Sequence, residues 1–169
     1  MFQTTLYSKT ERPSKLMSHR FSDDIPRLAA RLFFTAALLF SLPSPAAPRV
    51  ATSDWTVAET LTAMGHPPVS VADRRVYDTW VNHPPLPAAV KEAGLRFQPN
   101  LERLYQIKPD FFVQSSWYAA AKSQFEKIAP VREVDFGTAK GIEYAHTVEA
   151  TRRLGKIIGD PSAAEKLIA

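Results

Sequence analysis

The residue types that most often perform chemistry in proteins are sparse in this sequence. There is no cysteine, which excludes thiolate metal sites, disulfides and a cysteine nucleophile. The four histidines are scattered, and no two of them have the spacing of paired metal ligands on one helix: His19, His66, His83 and His146. No glycine-rich phosphate loop, dinucleotide-binding fingerprint or Gly-x-Ser-x-Gly nucleophile motif is present. We therefore expect a binding protein rather than an enzyme, with no metal site or cofactor of its own.

Charge is distributed unevenly along the chain. Residues 1–48 carry six Lys or Arg against three Asp or Glu, a net charge of +3. The remaining residues carry fifteen against fourteen, a net charge of +1, and the two parts together give the formal +4 of the whole chain. The larger part therefore shows no basic stripe of the kind that a phosphate backbone requires. We expect no nucleic-acid partner and a ligand that is nearly neutral.

The first 46 residues have the pattern of a signal peptide, with an extra polar leader at the start. Arg27 and Arg31 precede an apolar run at 32–40, which is too short to span a bilayer but is typical of a signal-peptide core. Ser44 and Ala46 then supply the small residues of a cleavage site. Export is the prediction, and a buried N-terminal helix is the alternative.

After the leader, apolar runs alternate with helical patterns. The predicted strands are 49–53, 69–72, 110–114 and 132–136, and the predicted helices are 57–64, 101–107, 123–129 and 142–158. Thr56 and Glu59 offer a capping box for the first of these helices. The proline-rich stretch 73–99 is predicted to be a long functional loop.

Alternating strands and helices predict an α/β three-layer sandwich with a mostly parallel sheet. Ligands of such folds lie at the carboxyl ends of the strands. We expect residues 47–159 to form one lobe, and Asp160 to cap a helix at 160–169 that continues in a longer protein.

One segment carries a family resemblance. Residues 99–104 read Pro-Asn-Leu-Glu-Arg-Leu, and residues 107–113 read Ile-Lys-Pro-Asp-Phe-Phe-Val. This sequence resembles a signature of the periplasmic binding proteins for iron siderophores, haem and cobalamin. Within that class, Trp80-Val81 before Pro84-Pro85-Leu86-Pro87, and Gly94-Leu95-Arg96 before Pro99, are most similar to the ferric hydroxamate (ferrichrome-type) binding proteins of Gram-negative bacteria.

The resemblance implies a periplasmic protein of two lobes joined by one long helix, with the ligand in a shallow cleft between them. This chain would contain the first lobe. The ligand would be an iron(III)-siderophore complex, in which iron is bound only through the siderophore. The partner would be the inner-membrane permease of an ABC importer, and the complete protein is expected to be a monomer.

The same resemblance implies the site residues. Arg96 and Tyr118 match the arginine and tyrosine that donate to hydroxamate oxygens, and Trp80 and Trp55 match aromatic residues that line the cleft. An arginine fork can bridge two such oxygens at once. Glu102 matches a surface glutamate that docks onto arginines of the permease.

Gln114 departs from the pattern, because the most similar proteins carry a tryptophan there, and Trp117 is a nearby replacement for that ring. Several alternatives stay open. The ligand could be a catecholate siderophore, for which Arg74, Arg75 and Arg96 would supply positive charge. It could also be haem or cobalamin. The chain could instead be part of a secreted α/β hydrolase, or a truncated remnant without function.

Overall fold

The computed structural model describes residues 46–81 and 83–169, so the predicted signal peptide lies outside the described residues except for Ala46. Five short strands form one sheet: β1 Val50–Thr52, β2 Ser70–Val71, β3 Lys91–Glu92, β4 Phe111–Gln114 and β5 Val131–Glu133. Their spatial order is β3-β2-β1-β4-β5, and every neighbouring pair is parallel. The predicted α/β fold with a parallel sheet is confirmed.

Within the described residues, six α-helices and one 3₁₀ helix accompany the sheet. The α-helices are α1 Trp55–Ala63, α2 Arg74–Trp80, α3 Leu101–Ile107, α4 Lys122–Phe125, α5 Tyr144–Ile158 and α6 Pro161–Ile168. The 3₁₀ helix, Ser116–Ala121, lies directly after β4 and runs into α4. The sequence pattern predicts α3 with the bounds that the structure shows, because Asn100 caps its first turn through a 2.9 Å bond from the Arg103 amide.

Consecutive residues of the central strands face opposite sides of the sheet, and each side packs against its own helices. Val50 and Phe111 belong to a buried cluster with residues of α1, α5 and α6. Ala51 and Phe112 belong to a second cluster, with Leu104 of α3 and residues of the 3₁₀ helix and α4. The period of two along a strand produces this separation. Helices therefore cover both faces, which makes the three layers that the sequence predicts.

The segment that carries the family resemblance aligns β4 with β1. The Asp110 carboxylate accepts a hydrogen bond from the Arg49 amide at 2.7 Å. The Arg49 guanidinium donates to the carbonyl oxygens of Ile107 at 2.6 Å and Lys108 at 3.2 Å. Lys108 has φ 54°, and this left-handed residue turns the chain from α3 into the strand. The Lys-Pro-Asp sequence thus has a structural role, since it places β4 beside β1.

The structure corrects two local predictions. The residue that caps α1 is Asp54, whose carboxylate accepts from the amides of Thr56 and Val57, so Thr56 is inside the helix and the predicted capping box with Glu59 is wrong. The stretch 73–99 contains α2 and β3 and is not one irregular loop. The pattern misses both elements because β3 has two residues and because Asp73, the residue before α2, has φ 51° and makes no side-chain capping bond.

Candidate functional site

The order of the strands marks one edge of the sheet as a ligand site. Connections from β1 lead to β2 and β3 on one side, and β4 and β5 lie on the other. In open α/β sheets ligands bind outside the carboxyl ends of the strands at such a switch point. Asp54 follows β1 there, and Ser115 follows β4.

A buried polar network joins the two strand ends at the switch point. The Asp54 carboxylate accepts from the Ser115 hydroxyl as well as from the first amides of α1. The Gln114 side-chain oxygen accepts from the Ser53 amide at 2.9 Å. These bonds fix the ends of β1 and β4 relative to each other, which makes the edge rigid beneath any ligand.

Gln114 therefore has a structural role and does not line the cleft. Its side chain is only 3% exposed, and its amide nitrogen has no hydrogen-bond partner among the described residues. Trp117, two residues into the 3₁₀ helix, is 77% exposed. An indole ring is thus available near the position where the resemblance expects one, but it comes from the helix rather than from the strand.

Arg96 is the centre of the site. Its Nε donates to Asp73 Oδ2 at 3.2 Å, and its backbone amide donates to the same oxygen at 3.3 Å. The guanidinium lies 4.1 Å from the centroid of the Trp55 ring, in a cation–π arrangement. Asp73 and Trp55 thus hold the guanidinium, and its remaining N–H groups are available to donate to a ligand.

Tyr118 lies beside Arg96. Its ring stacks on Phe97 with 5.3 Å between centroids, and the residue is 6% exposed. Burial raises the pKa of the Tyr118 hydroxyl, the Asp54 carboxylate raises it further, and the nearby Arg96 guanidinium opposes the rise. The phenol therefore stays protonated at physiological pH and can donate a hydrogen bond.

The two predicted tryptophans differ in their surroundings. The Trp55 indole N–H donates to the Ala72 carbonyl at 2.9 Å, and its ring makes an edge contact with Tyr77, so Trp55 offers a ring to the site and not an N–H donor. Trp80, the last residue of α2, is 75% exposed, and no aromatic or hydrogen-bond contact joins it to Arg96 in the described part of the chain. The structure brings Arg96, Tyr118 and Trp55 together and shows no such contact for Trp80 among the described residues.

A pocket of about 690 Å³ opens at Tyr118, and Arg96 and Trp55 do not line it. Asp54, Ser115 and Tyr118 line it on the side of the sheet, and Trp117 and Ile142 line its exposed side. Its volume falls within the range of small-molecule sites, and it combines apolar and aromatic side chains with a few polar groups. An apolar ligand with a few oxygen acceptors fits this surface.

Glu102, the residue predicted to dock onto a permease, lies in the first turn of α3 with its side chain exposed. No ion pair involves it within residues 46–81 and 83–169. The helix dipole favours an acidic residue at this position in any case.

Two carboxylates of the site, Asp54 and Asp73, were not predicted. The position of Asp54 in the sequence indicates its role, since an acidic residue between a buried strand and a helix is typical of a helix N-cap at the carboxyl edge of the sheet. Asp73 gives no such signal, because its partner Arg96 is 23 residues away along the chain. Within the described ranges, no group of three or more His, Cys, Asp or Glu could hold a metal ion, and no helix there is long and apolar enough to cross a membrane.

Comparisons with known proteins bear on the family and the fold of the chain. A family model described as "Periplasmic binding protein" matches residues 50–169. The iron(3+)-hydroxamate-binding protein FhuD of Escherichia coli is 36% identical over 121 residues, which cover 72% of this chain and 40% of that protein. The chain thus spans less than half of the length of this relative.

Two solved structures show the same fold. The siderophore-binding protein FhuD of Vibrio cholerae with Fe³⁺-Desferal has a TM-score of 0.65 and 24% identity, and the match covers 72% of this chain and 46% of that one. The catecholate-siderophore-binding protein VctP of the same species has a TM-score of 0.58 and 24% identity, covering 74% and 44%. From the family match over residues 50–169, the chain belongs to the periplasmic binding protein family.

Proposed function

We propose that this chain binds an iron(III)-hydroxamate siderophore as part of the substrate-binding component of an ABC importer. The observation that carries the proposal is the position of Arg96, which is held by Asp73 and Trp55 beside the Tyr118 hydroxyl. The 36% identity to a hydroxamate-binding protein supports the same ligand class. No chemistry is part of the proposed role, because recognition requires only donors and an aromatic surface.

The contacts around Arg96 favour a ligand without strong negative charge. Asp73 already pairs with its guanidinium, and Asp54 adds a second carboxylate nearby. A ferric trihydroxamate has no net charge at its metal centre and presents oxygen acceptors to Arg96 and Tyr118. Hydrogen bonding rather than charge neutralisation would then hold it.

A catecholate siderophore is the second candidate, and the likeness to VctP is the reason to test it. Ferric tricatecholates are strongly anionic and require converging cations. Arg74 donates to the Pro87 carbonyl at 3.3 Å, and Arg75 lies 4.0 Å from Glu92, so these two arginines have other neighbours than Arg96. This separation favours the hydroxamate.

Two further proposals concern the export of the protein and its contact with the permease. Residues 1–46 would direct export to the periplasm and be removed. Residues 47–159 would form the first lobe of a two-lobed, monomeric protein, and the helix at 160–169 would lead toward the second lobe. Glu102 would contact an arginine of the inner-membrane permease, because its side chain is exposed on α3. Glu102→Ala should then reduce siderophore uptake by cells while the affinity for the siderophore is unchanged.

The ligand is tested by titrating the tryptophan fluorescence of the chain with a ferric trihydroxamate and with a ferric tricatecholate, corrected for absorbance by the ligands. We expect saturable quenching by the trihydroxamate. Arg96→Lys keeps the charge but removes the planar fork, and should weaken binding about tenfold or more. Arg153→Lys makes the same change at an exposed position of α5 and should have no effect.

Preference for the tricatecholate would contradict the ligand class. Saturable quenching by neither complex would contradict siderophore binding by this chain. Equal affinities of the Arg96→Lys protein and the Arg153→Lys protein would leave the ligand class standing and show that the assignment of Arg96 is wrong.

A further inference from the structure

A second pocket, of about 1090 Å³, lies away from the candidate site. It includes Arg49, Val69 and Lys91, which lie at or just before the first residues of β1, β2 and β3, and so it opens at the amino edge of the sheet. It also reaches the first turn of α2 at Arg74 and Arg75. Asp54, Asp73, Arg96, Trp55 and Tyr118 do not line it. The proposed siderophore site therefore does not use this pocket.

Most of the charged residues that line this pocket are basic. Five are basic and one is acidic: Arg49, Arg74, Arg75, Lys91 and Arg103, with Glu92. We call this group the cationic cleft. Its net charge of +4 compares with +1 for all of residues 49–169, so the remainder of that part carries −3. Although the net charge of residues 49–169 is close to zero, positive charge is concentrated at the cationic cleft. A local concentration of positive charge attracts anions.

One arginine of the cationic cleft, Arg74, has a buried donor atom without an acceptor. The Nε of Arg74 is inaccessible to solvent and has no hydrogen-bond partner among the described residues, while its Nη2 donates to the Pro87 carbonyl at 3.3 Å. A buried guanidinium donor without an acceptor is unfavourable, and a rotation of the Arg74 side chain toward the cleft would let an anion supply the acceptor.

The one carboxylate of the cleft has a buried oxygen, Glu92 Oε2, that has no hydrogen-bond partner among the described residues. Glu92 Oε1 accepts from the Gly94 amide at 3.0 Å, and Glu92 Oε2 lies 4.0 Å from Arg75 Nε. Arg103 and Lys91 are exposed and form no ion pair within residues 46–81 and 83–169. Positive charge therefore remains available for a ligand.

The walls of the cleft are apolar and stiff. Three prolines line it, and each has a fixed φ angle: Pro67, Pro68 and Pro87. Val90 and Ile107 add aliphatic surface. Cations around an apolar wall suit an anionic group that is attached to a less polar body.

We propose that the cationic cleft is a second binding site, for a phosphate monoester or diester, with Arg74 and Arg103 as donors. Arginine forks match the geometry of phosphate oxygens and bind two of them in parallel. The phosphate can come from a soluble ester or from the headgroup of a lipid. The proposal does not depend on the siderophore site, since no residue that forms the group around Arg96 lines the cleft.

The test uses the complete chain and three probes: inorganic phosphate, the soluble diester glycerophosphoglycerol, and vesicles of phosphatidylglycerol in phosphatidylcholine. Calorimetry measures the soluble probes, and co-sedimentation measures the vesicles against pure phosphatidylcholine. We expect saturable binding that weakens with added salt. Binding of the soluble probes alone identifies a free ester, and binding of the vesicles identifies a headgroup; either result supports the site.

Arg103→Gln, at an exposed position, should weaken binding about tenfold without affecting folding, and Arg74→Gln should weaken it at least as much. Arg153→Gln removes the same charge outside the cleft and should change affinity less than about twofold. Absence of saturable binding by all three probes would overturn the proposal. An Arg153→Gln effect equal to that of Arg103→Gln would do the same, because it would show attraction to total charge only.

Discussion

At the scale of single residues, Asp54 combines two tasks in one buried carboxylate. One oxygen caps α1 through the amides of Thr56 and Val57, and the other accepts from the Ser115 hydroxyl at the end of β4. The same side chain therefore begins a helix and joins the two central strands. It also borders the pocket beside Tyr118, so a change at Asp54 affects both the fold and the candidate site.

We expect Asp54→Ala to lower the free energy of unfolding by about 2 kcal/mol, since it removes a helix cap and leaves the Ser115 hydroxyl without its acceptor. Thr56→Ala is the control, because Thr56 lies inside α1. This change should lower the free energy of unfolding by less than about 0.5 kcal/mol. Urea unfolding followed by circular dichroism measures both. A larger loss for Thr56→Ala would show that the cap is assigned to the wrong residue.

Asp160 gives a prediction for the dependence of stability on pH. Hydrogen bonds from Ser162, from His66 at 3.0 Å and from the Ala163 amide hold the pKa of the Asp160 carboxyl well below its ordinary value. Its contribution to stability is therefore present above the pKa of the unfolded chain, which is about 4, and is lost as the pH falls toward the lower folded-state value.

The free energies of unfolding of the parent chain and of Asp160→Asn should therefore differ more at about pH 5 than at about pH 2.5. Urea titrations at both pH values measure the difference. Glu149→Gln changes an exposed position of α5, and its free energy of unfolding should differ little from that of the parent chain at either pH. If the difference in free energy of unfolding between the parent chain and Asp160→Asn stayed constant or increased on acidification, the assigned role of this carboxylate would be wrong.

At the scale of elements, α5 and α6 pack closely because a glycine lies between them. A Cβ atom added at Gly155 would lie 2.7 Å from the Ala164 Cβ and 3.2 Å from the Asp160 carbonyl oxygen. In an isolated helix the change from glycine to alanine stabilises by about 1 kcal/mol. Here the clash should dominate, so that Gly155→Ala destabilises the chain by about 1 to 3 kcal/mol.

Thermal unfolding of Gly155→Ala, of Ala164→Gly and of the double variant measures the coupling between the two positions. The double variant should recover part of the stability that Gly155→Ala loses, because the second change removes the atom that the new Cβ meets. A stabilising effect of Gly155→Ala alone would show that helix propensity outweighs the contact between α5 and α6.

The elements with strong local signals could be predicted from the sequence, and those fixed by distant contacts could not. Asn100 and Pro109 delimit α3, and the apolar run Phe111–Gln114 predicts β4. In contrast, β3 is a two-residue edge strand that exists through its pairing with β2. The helix predicted at 123–129 is confirmed only in its first residues, since α4 ends at Phe125 and residues 126–128 form a turn.

The candidate site could likewise be predicted from the sequence only in part. A family resemblance pointed to Arg96, Tyr118 and Trp55, and these side chains lie together. Their supports come from residues that are far apart in sequence, as in the pair of Asp73 with Arg96. The burial of Gln114 could not be foreseen either, because it follows from the Ser53 amide on the neighbouring strand.

At the scale of the whole molecule, large apolar side chains are exposed at the carboxyl edge of the sheet. Trp117 and Ile142 are both highly exposed and line the same pocket as Tyr118, and Phe97 is exposed beside Tyr118. Such grouped apolar exposure marks a surface that associates with something. In the complete protein this surface would face the second lobe, as proposed above, and without a second lobe it is available for contact between copies.

We therefore expect the purified chain to self-associate as its concentration rises, and the double change Trp117→Ser and Ile142→Ser to shift that association to higher concentration, because it removes the largest exposed apolar area at this edge. Static light scattering across a dilution series measures the effect. Tyr105→Ser removes an exposed aromatic ring from α3 and serves as the control, with little change expected. If Tyr105→Ser reduced association as much as the double change, association would depend on general surface hydrophobicity. The carboxyl edge would then have no special role in it.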